Sequence, residues 1–223
     1  MRAPVLMFPE RTESAVNKSD NHHWNGVYRS KPVDEVSWFE PTPAASLNAL
    51  NRTGASPGSS LIDVGCGASA LVDRLIDLGW RDLTVLDIAA DALEISKSRL
   101  GDRANDINWL VANISAWMPN RQYDVWHDRA VFHFLTTPAA RLAYRQALEA
   151  ALAVGGHAII ATFAPDGPEQ CSGLPVCRYS AESLRVELGN AFELIHDWKD
   201  THHTPGGRDQ SFTWTIFRKR IGT

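Results

Sequence analysis

Two glycines and two carboxylates are spaced along the sequence in a way that suits ligand binding. In LIDVGCGAS, Gly65 and Gly67 follow an apolar run, and glycines at the end of a strand let a ligand approach the backbone closely because they lack a Cβ. Asp63 lies two residues before the first glycine, and Asp87 ends the next β-branched run, LTVLD. A carboxylate at that second strand end can accept both hydroxyls of a ribose.

The glycines alone leave two nucleotide cofactors open. The spacing from Gly65 through Gly67 to Ala70 fits the dinucleotide pattern G-x-G-x-x-G/A, with Asp87 near the ribose position. The same residues fit S-adenosylmethionine. The Asp63 carboxylate separates the two, because it repels a pyrophosphate and favours the cationic ammonium and sulfonium. We therefore expect S-adenosylmethionine, with an NAD-dependent oxidoreductase as the weaker alternative.

A second group of reactive side chains lies in YDVWHDRAVFHFL, residues 123–135. We predict Asp128, Arg129 and His133 as the catalytic residues. A histidine of near-neutral pKa can take a proton from an attacking oxygen, nitrogen or thiol, and Asp128 can orient it or contact the cofactor amine. The alternative is that His127 and His133 are satisfied polar residues beside the core. Many methyl transfers need no base, because alignment and exclusion of water suffice.

The cysteines do not indicate a disulfide framework. Cys66, Cys171 and Cys177 are few and odd in number, which fits a reducing compartment. Cys171 and Cys177 lie in a long Gly/Pro-rich segment that we interpret as a substrate wall. Together with His202 and His203 they match no tight zinc pattern, so we predict no metal.

The elements that must position these residues alternate along the chain. Short β-branched runs and amphipathic stretches follow one another, which is typical of βαβ units around a parallel sheet. The predicted strands are 60–65, 83–87, 107–112, 123–128 and 157–163. Segments 192–200 and 210–220 are joined by a short turn-rich loop, so they should pair antiparallel. We predict an α/β fold: a doubly wound, mostly parallel, seven-stranded, Rossmann-like sheet with a C-terminal antiparallel hairpin.

Capping residues predict where several helices begin. One helix should start near Ala44. Asp91 is expected to cap another that runs to about Leu100, and Thr137 with Pro138 at the first helical position should open a third.

We divide the chain into a flexible leader (1–20), an N-terminal arm (21–58) and a main domain (59–223). The leader mixes Pro, Glu, Lys, Ser and Asn without periodicity and is expected to fray. The arm carries aromatic residues among turn formers. These rings either pack onto the domain or cover a site.

Composition excludes several classes of function. With 44% hydrophobic and 22% charged residues, the 223-residue chain suits one substantial core. A net charge of -4 and a pI near 6.0 give no electrostatic basis for binding nucleic acid or an anionic membrane. No apolar stretch has the length of a membrane span or a signal peptide. We expect a cytoplasmic protein.

Four segments, in order, resemble the motifs of class I S-adenosylmethionine-dependent methyltransferases: LIDVGCGAS, LTVLDIAADALEIS, NWLVANIS and YDVWHDRAVFHFL. The resemblance covers about residues 60–220. It implies that the end of the third strand holds the adenine, where Asn113 replaces the Asp of many members. Ile88 and Ile114 would then cover the ring faces.

Two further segments resemble subgroups of that family. WNGVYRSKPVDEVSWFEPTP resembles the leader of protein-lysine methyltransferases of the citrate-synthase and elongation-factor type, whereas DRAVFHF is closer to thiopurine- and thiol-type S-methyltransferases. The resemblance implies that the cofactor-binding residues are Trp24, Tyr28, Arg29, Trp38, Asp63, Gly65, Cys66, Gly67, Ala68, Asp87, Ile88, Asn113, Ile114 and Asp128.

We therefore expect methyl transfer by direct displacement to a small nucleophile, such as a thiol or another soft atom. The alternatives are a protein-lysine N-methyltransferase and a non-catalytic module that binds S-adenosylmethionine.

Overall fold

The structure is a computed structural model that describes residues 15–221, with side chains from residue 20 onward. The α-helices in this range are α1 (Ala15–Ser30), α2 (Ala44–Thr53), α3 (Leu71–Asp77), α4 (Ala90–Leu100), α5 (Pro138–Ala151) and α6 (Ala181–Leu188). The strands are β1 (Leu61–Val64), β2 (Leu83–Asp87), β3 (Asn108–Val111), β4 (Tyr123–Arg129), β5 (Leu152–Phe163), β6 (Gln170–Cys171), β7 (Leu174–Pro175), β8 (Phe192–His203) and β9 (Asp209–Lys219). Short 3-10 helices lie at Val33–Glu35, Gly101–Asp106 and Phe132–Phe134.

Seven strands form one sheet in the order β3-β2-β1-β4-β5-β9-β8. The pairs from β3 to β5 are parallel, and β9 pairs antiparallel with both β5 and β8. The predicted sheet and C-terminal hairpin are therefore confirmed. β6 and β7 make a separate two-stranded hairpin that the sequence did not reveal.

The strand order reverses between β1 and β4, which lie side by side with Val64 opposite Asp128. From β1 the chain winds outward through β2 and β3, then returns to β4 on the other side. Crevices at the carboxyl ends of strands bind ligands at such a reversal. The glycine loop, defined here as residues 65–70, follows β1 at this position.

Both faces of the parallel sheet are buried, which is why its strands consist of nearly continuous apolar residues. Leu61 and Val125 pack with α2 and α3 in one core cluster, whereas Ile62 and Trp126 pack with α5 in the other. Alternation along β1 puts Asp63 on the same face as Leu61. That carboxylate therefore lies at the edge of an apolar layer.

The structure places a helix in the N-terminal segment where the sequence predicted no element. Residues 1–14 of the predicted leader lie outside the described residues, but α1 begins at Ala15 and runs through the proposed boundary at residue 20. Its polar side chains bond to the domain: the Asn21 amide donates to the Ile88 carbonyl at 2.8 Å. Because these bonds are tertiary, local sequence gave no sign of the helix.

One predicted helix cap is wrong and another is confirmed. α4 begins at Ala90, so Asp91 lies inside the helix, and its backbone N–H donates to the Asn25 side chain of α1 at 3.0 Å. Thr137 does cap α5, accepting from the Ala140 N–H at 3.2 Å. In the described part of the chain, no helix combines the length and apolar character that crossing a bilayer requires.

Candidate active site

Two glycines shape the loop that follows β1. Gly65 and Gly67 adopt φ angles of +66° and +54°, which favour glycine over other residues. A Cβ on Gly65 would collide with the Val131 side chain, and one on Gly67 would collide with the Tyr28 hydroxyl. The loop is thus a cradle closely approached by the segment after β4 and by α1.

Asp87 joins the second strand end to this loop. Its two carboxylate oxygens accept from the Gly67 and Ala89 N–H groups, each at 2.7 Å. Burial raises the pKa of Asp87 to about 6, although the two amides and the Ile88 N–H act in the opposite sense. Each carboxylate oxygen keeps a further lone pair that can accept a ribose hydroxyl.

Asp63 is fixed by a hydrogen-bonded chain that crosses from β1 to α2. His127 Nδ1 lies 2.7 Å from Asp63 Oδ1, and His127 Nε2 lies 3.0 Å from Ser46 Oγ. All three side chains are buried. With the Nδ1 proton donated to the carboxylate, Nε2 accepts from the serine hydroxyl. His127 is therefore a satisfied polar residue, and its partners were not foreseen because they come from separate elements.

A small cavity of about 50 Å³ opens beside the glycine loop and is called the glycine-loop cavity. Of the predicted site residues, Trp38, Asp63, Gly65, Cys66, Ala68 and Arg129 line it. Ser46, Glu40 and His127 also line it and were absent from the predicted set. The wall of this cavity combines ionisable and apolar side chains. The cavity can therefore hold the charged end of a ligand and exclude water from it.

The predicted adenine residues lie after adjacent strands. The β2–β3 register sets Asp87 opposite Val111, so Ile88 and Asn113 follow neighbouring strand ends. Asn113 Oδ1 accepts from the Ser115 N–H at 2.9 Å, and Ile114 is buried. Their adenine contact remains a prediction.

The aromatic residues of the arm cover the glycine loop as a connected group. Trp24 lies edge-on to Trp38 and to Phe134, with ring centroids 5.7 and 5.0 Å apart. Tyr28 lies 6.0 Å from Trp38, and burial together with nearby Asp87 raises its pKa well above the ordinary value. Three of the four predicted arm residues thus come together.

Arg29 does not join the other predicted arm residues. It forms a 2.6 Å ion pair with Asp91 of α4, and its side chain is 69% exposed. Since the partner lies in the first turn of α4, this pair holds α1 against the domain at its surface. The structure therefore does not show the predicted contact between Arg29 and the cofactor pocket.

The structure shows Asp128 bonded to its own turn and to α5, and not to His133, which it was predicted to orient. Its carboxylate accepts from the Val131 N–H at 2.8 Å, the Phe132 N–H at 3.2 Å and the Tyr144 hydroxyl at 2.6 Å. The turn that it holds includes Ala130 at φ +74°. Burial raises the pKa of Asp128 to about 6. Asp128 is fully buried and does not line the glycine-loop cavity.

The predicted base, His133, is likewise enclosed. Its Nδ1 accepts from the Phe163 N–H at 3.2 Å, which leaves the ring proton on Nε2. Burial, and secondarily the charge of Arg129, lower the pKa of His133 to about 3. A neutral ring with no free acceptor nitrogen cannot take a proton, so the geometry opposes that role. The motif position alone could not reveal this enclosure.

Arg129 is the predicted acceptor-side residue that reaches the cavity. Its guanidinium donates to the Trp38 carbonyl at 3.0 Å and to Glu40 at 2.8 Å. Burial lowers the pKa of Arg129, while Glu40 acts against that effect. The residue therefore ties the arm to the end of β4.

Cys171 of the predicted substrate wall and Cys66 of the glycine loop are not activated thiols. Burial raises the pKa of Cys171 to about 11, and burial also raises that of Cys66. A raised pKa disfavours the nucleophilic thiolate. Within residues 15–221, no group of three or more His, Cys, Asp or Glu side chains is arranged to hold a metal ion.

The residues of the glycine loop fit S-adenosylmethionine. The loop turns on two positive-φ glycines, Asp87 presents buried acceptors, and Asp63 presents a carboxylate on the cavity wall. This donor set suits a ligand with a ribose at one end and a cationic amino acid at the other.

Comparisons with known proteins agree with this geometry. Residues 61–156 match the family described as a methyltransferase domain. Malonyl-[acyl-carrier protein] O-methyltransferase of Anoxybacillus flavithermus is 34% identical over 97 residues, covering 43% of this chain and 37% of that protein. The eEF1A lysine and N-terminal methyltransferase of Danio rerio is 24% identical over 160 residues, covering 70% and 23%. The chain thus spans well under half the length of these two curated relatives.

A solved structure shares the fold over nearly the whole chain. The 1,6-didemethyltoxoflavin-N1-methyltransferase of Burkholderia thailandensis, with bound 1,6-didemethyltoxoflavin and S-adenosylhomocysteine, superposes with a TM-score of 0.69 at 16% identity. The match covers 96% of this chain and 94% of that one. Taken with the strand order and the match of residues 61–156, this fold supports a class I S-adenosylmethionine-dependent methyltransferase.

Proposed function

We propose that this protein transfers the methyl group of S-adenosylmethionine by direct displacement to a small nucleophile, with a thiol or another soft atom as the leading acceptor. The observation that carries the proposal is the placement of Asp63 and Asp87 on either side of the glycine loop, at the reversal of strand order.

Each part of the site has a distinct task in this proposal. Asp87 accepts the ribose hydroxyls, and Asp63, held in place by His127 and Ser46, pairs with the amino-acid ammonium. Trp38 and its neighbouring rings exclude water from the reacting atoms. When bound, S-adenosylmethionine supplies a methyl group on a positively charged sulfur, so the protein has mainly to align the acceptor with it.

The state of the histidines favours an acceptor that needs no protein base. His133 keeps its proton on Nε2, and both ring nitrogens of His127 are engaged. A thiol of pKa near 8.5 is partly ionised at neutral pH and reacts as the thiolate. A lysine ammonium must first lose a proton, and its ordinary pKa of about 10.4 makes that costly.

The first experiment tests the cofactor. Calorimetric titration of the full chain should give saturable binding of S-adenosylmethionine and S-adenosylhomocysteine. Asp87→Asn should weaken it about 10- to 100-fold, since hydrogen bonds to a charged acceptor are lost. Asp82→Asn, at an exposed residue directly before the same strand, is the matched control. Absence of binding alongside binding of NAD would contradict the proposal.

The second experiment separates the acceptor classes. Lysate is incubated with the protein and S-adenosylmethionine labelled in the methyl group. Label confined to small or volatile products supports the proposed function. Label in protein bands supports the protein-lysine alternative, which the Danio rerio relative also suggests. Cofactor binding without labelled product would point to the non-catalytic module.

A further inference from the structure

A second cavity, of about 490 Å³, lies between the N-terminal arm, the β6–β7 hairpin and the turn that joins β8 to β9; we call it the outer cavity. Val36 and Trp38 line both this cavity and the glycine-loop cavity. One short chain segment therefore separates the two spaces. A volume within the range of about 300 to 1,000 Å³ is typical of small-molecule pockets.

The outer cavity carries two cations that lack an ion-pair partner. Lys31 and Arg208 both line it, and neither side chain forms an ion pair with a described residue. Other arginines near these elements are paired: Arg129 with Glu40, and Arg178 with Glu169. Glu35 is the single carboxylate among the lining residues. The formal charge of the wall is therefore positive in a chain whose net charge is -4.

The turn that carries Arg208 is held by its own hydrogen bonds. The Arg208 N–H donates to Thr204 Oγ1, and the Thr204 N–H donates to the Arg208 carbonyl, both at 2.9 Å. The adjacent carboxylate, Asp209, lies 2.6 Å from His203 Nδ1. Because that carboxylate already has a partner and the backbone is fixed, the guanidinium remains available to a ligand.

Lys31 approaches from the arm. It directly follows the last residue of α1, and its N–H donates to the Val27 carbonyl at 3.1 Å. Gln170 and Gln210 line the same cavity and add uncharged donors and acceptors. This combination of cations and amides suits an anionic group on a small molecule.

We propose that the outer cavity binds the methyl acceptor, and that Lys31 and Arg208 select a small organic acid through its anionic group. The inference rests on the proposed function, because it names the chemical class of that acceptor. The segment that lines both cavities, which includes Val36 and Trp38, would then direct the nucleophilic atom of the acceptor toward the cofactor.

The experiment compares three matched probes: benzoate, benzamide and benzylamine. Each is titrated into the full chain, with saturating S-adenosylhomocysteine, and followed by ligand-observed NMR and by tryptophan fluorescence, since Trp38 lines the cavity. The variants are Lys31→Gln and Arg208→Gln. Arg220→Gln is the matched control, because Arg208 and Arg220 flank opposite ends of β9.

We expect benzoate to bind more tightly than benzamide, with benzylamine weakest. Each cavity variant should weaken benzoate about two- to fivefold, the range for one solvent-exposed charge, and leave benzamide unchanged. Added salt should reduce the preference for benzoate. Arg220→Gln should behave as the wild type.

Equal binding of the three probes, no saturable benzoate binding, or benzoate binding unaffected by both cavity variants would overturn the inference. The two proposals fail separately. If S-adenosylhomocysteine binds but the charge preference is absent, only the acceptor class is wrong. If S-adenosylhomocysteine does not bind while the benzoate preference persists, the proposed function is wrong and the anion site stands.

Discussion

At the scale of single residues, the raised pKa of Asp87 makes cofactor binding depend on pH. Burial raises that pKa to about 6, and only the ionised carboxylate can accept from both ribose hydroxyls and both amides. We predict that the affinity for S-adenosylhomocysteine falls about tenfold between pH 7.5 and pH 5, as the ionised fraction falls. Calorimetry at both pH values measures this, and Asp87→Asn should abolish the dependence.

Asp87 should make the free energy of unfolding of the unliganded protein change with pH in the opposite sense to the cofactor affinity. A carboxyl whose folded pKa of about 6 exceeds its ordinary value of 3.8 holds a proton that the unfolded chain releases between those values. Asp87 and Asp128 therefore each lower the free energy of unfolding as pH rises from about 4 to about 6, whereas His133, whose pKa is lowered to about 3, acts in the opposite sense. Urea denaturation of the wild type and of Asp87→Asn at both ends of this pH range isolates the Asp87 contribution, and a difference between the two proteins that does not change with pH would contradict the assignment.

The enclosure of His133 gives a second prediction at this scale. Because burial lowers its pKa to about 3, its ring should stay neutral from pH 5 to pH 8. Two-dimensional NMR of the histidine rings, with the signal assigned through His133→Asn, should show no titration in that interval. A midpoint near 6.5 for His133 would restore it as a candidate base.

The structure brings the predicted cofactor-side residues together more than the predicted acceptor-side residues. Gly65, Gly67 and Asp87 are constrained by the shape and chemistry of their own short segments, so spacing alone was informative. Asp128 and His133 had the right types and positions, but their partners come from α5 and β5. Such distant partners decide whether an ionisable group is available, and one sequence does not reveal them.

At the scale of elements, we propose that α1 controls entry to the glycine loop, because its Tyr28 lies against Gly67. The cavity beside that loop measures about 50 Å³, far less than the several hundred Å³ of a nucleotide pocket, so we expect the arm to shift before the cofactor binds. We predict that the observed association rate of S-adenosylhomocysteine reaches a plateau as its concentration rises, because opening precedes binding. Stopped-flow tryptophan fluorescence measures this rate.

The ion pair between Arg29 and Asp91 supplies a test of the same motion. Arg29→Ala should raise the plateau rate about two- to fivefold, since an exposed pair contributes less than about 1 kcal/mol to the closed state. Arg74→Ala breaks a comparable pair with Asp77 in α3 and should leave the plateau unchanged. A rate that rises linearly to the solubility limit of the ligand would show that no opening step is needed.

The elements themselves were predicted where local patterns are strong. Apolar runs identified the seven strands of the main sheet, and Thr137 with Pro138 fixed the start of α5. Helix α1 was missed because its sequence is polar and its contacts are tertiary, with Ile88 after β2 and with α4. The β6–β7 hairpin was missed because two-residue strands carry no periodicity.

At the scale of the whole molecule, the arm, the parallel sheet and the C-terminal hairpin meet around Glu40. This carboxylate pairs with Arg129 at the end of β4, and the arm carbonyl of Ser37 accepts from His202 Nε2 of β8 at 2.7 Å. Three parts of the chain that are distant in sequence are thus joined at one point. We infer that the arm unfolds together with the domain.

Breaking this junction should therefore destabilise the entire fold. Glu40→Ala leaves the largely buried Arg129 guanidinium without its carboxylate, and we predict a loss of about 3 kcal/mol in the free energy of unfolding. Urea denaturation measures it, and the far-UV circular dichroism and tryptophan fluorescence transitions should coincide.

Replacing both partners by apolar residues, Glu40→Leu with Arg129→Met, should recover most of the loss, because no unpaired charge then remains buried. Glu193→Ala, which breaks an exposed pair with Arg218, should cost less than about 1 kcal/mol. An early fluorescence transition from the arm tryptophans, separate from loss of the sheet, would mean that the arm is an independent unit attached to the methyltransferase domain.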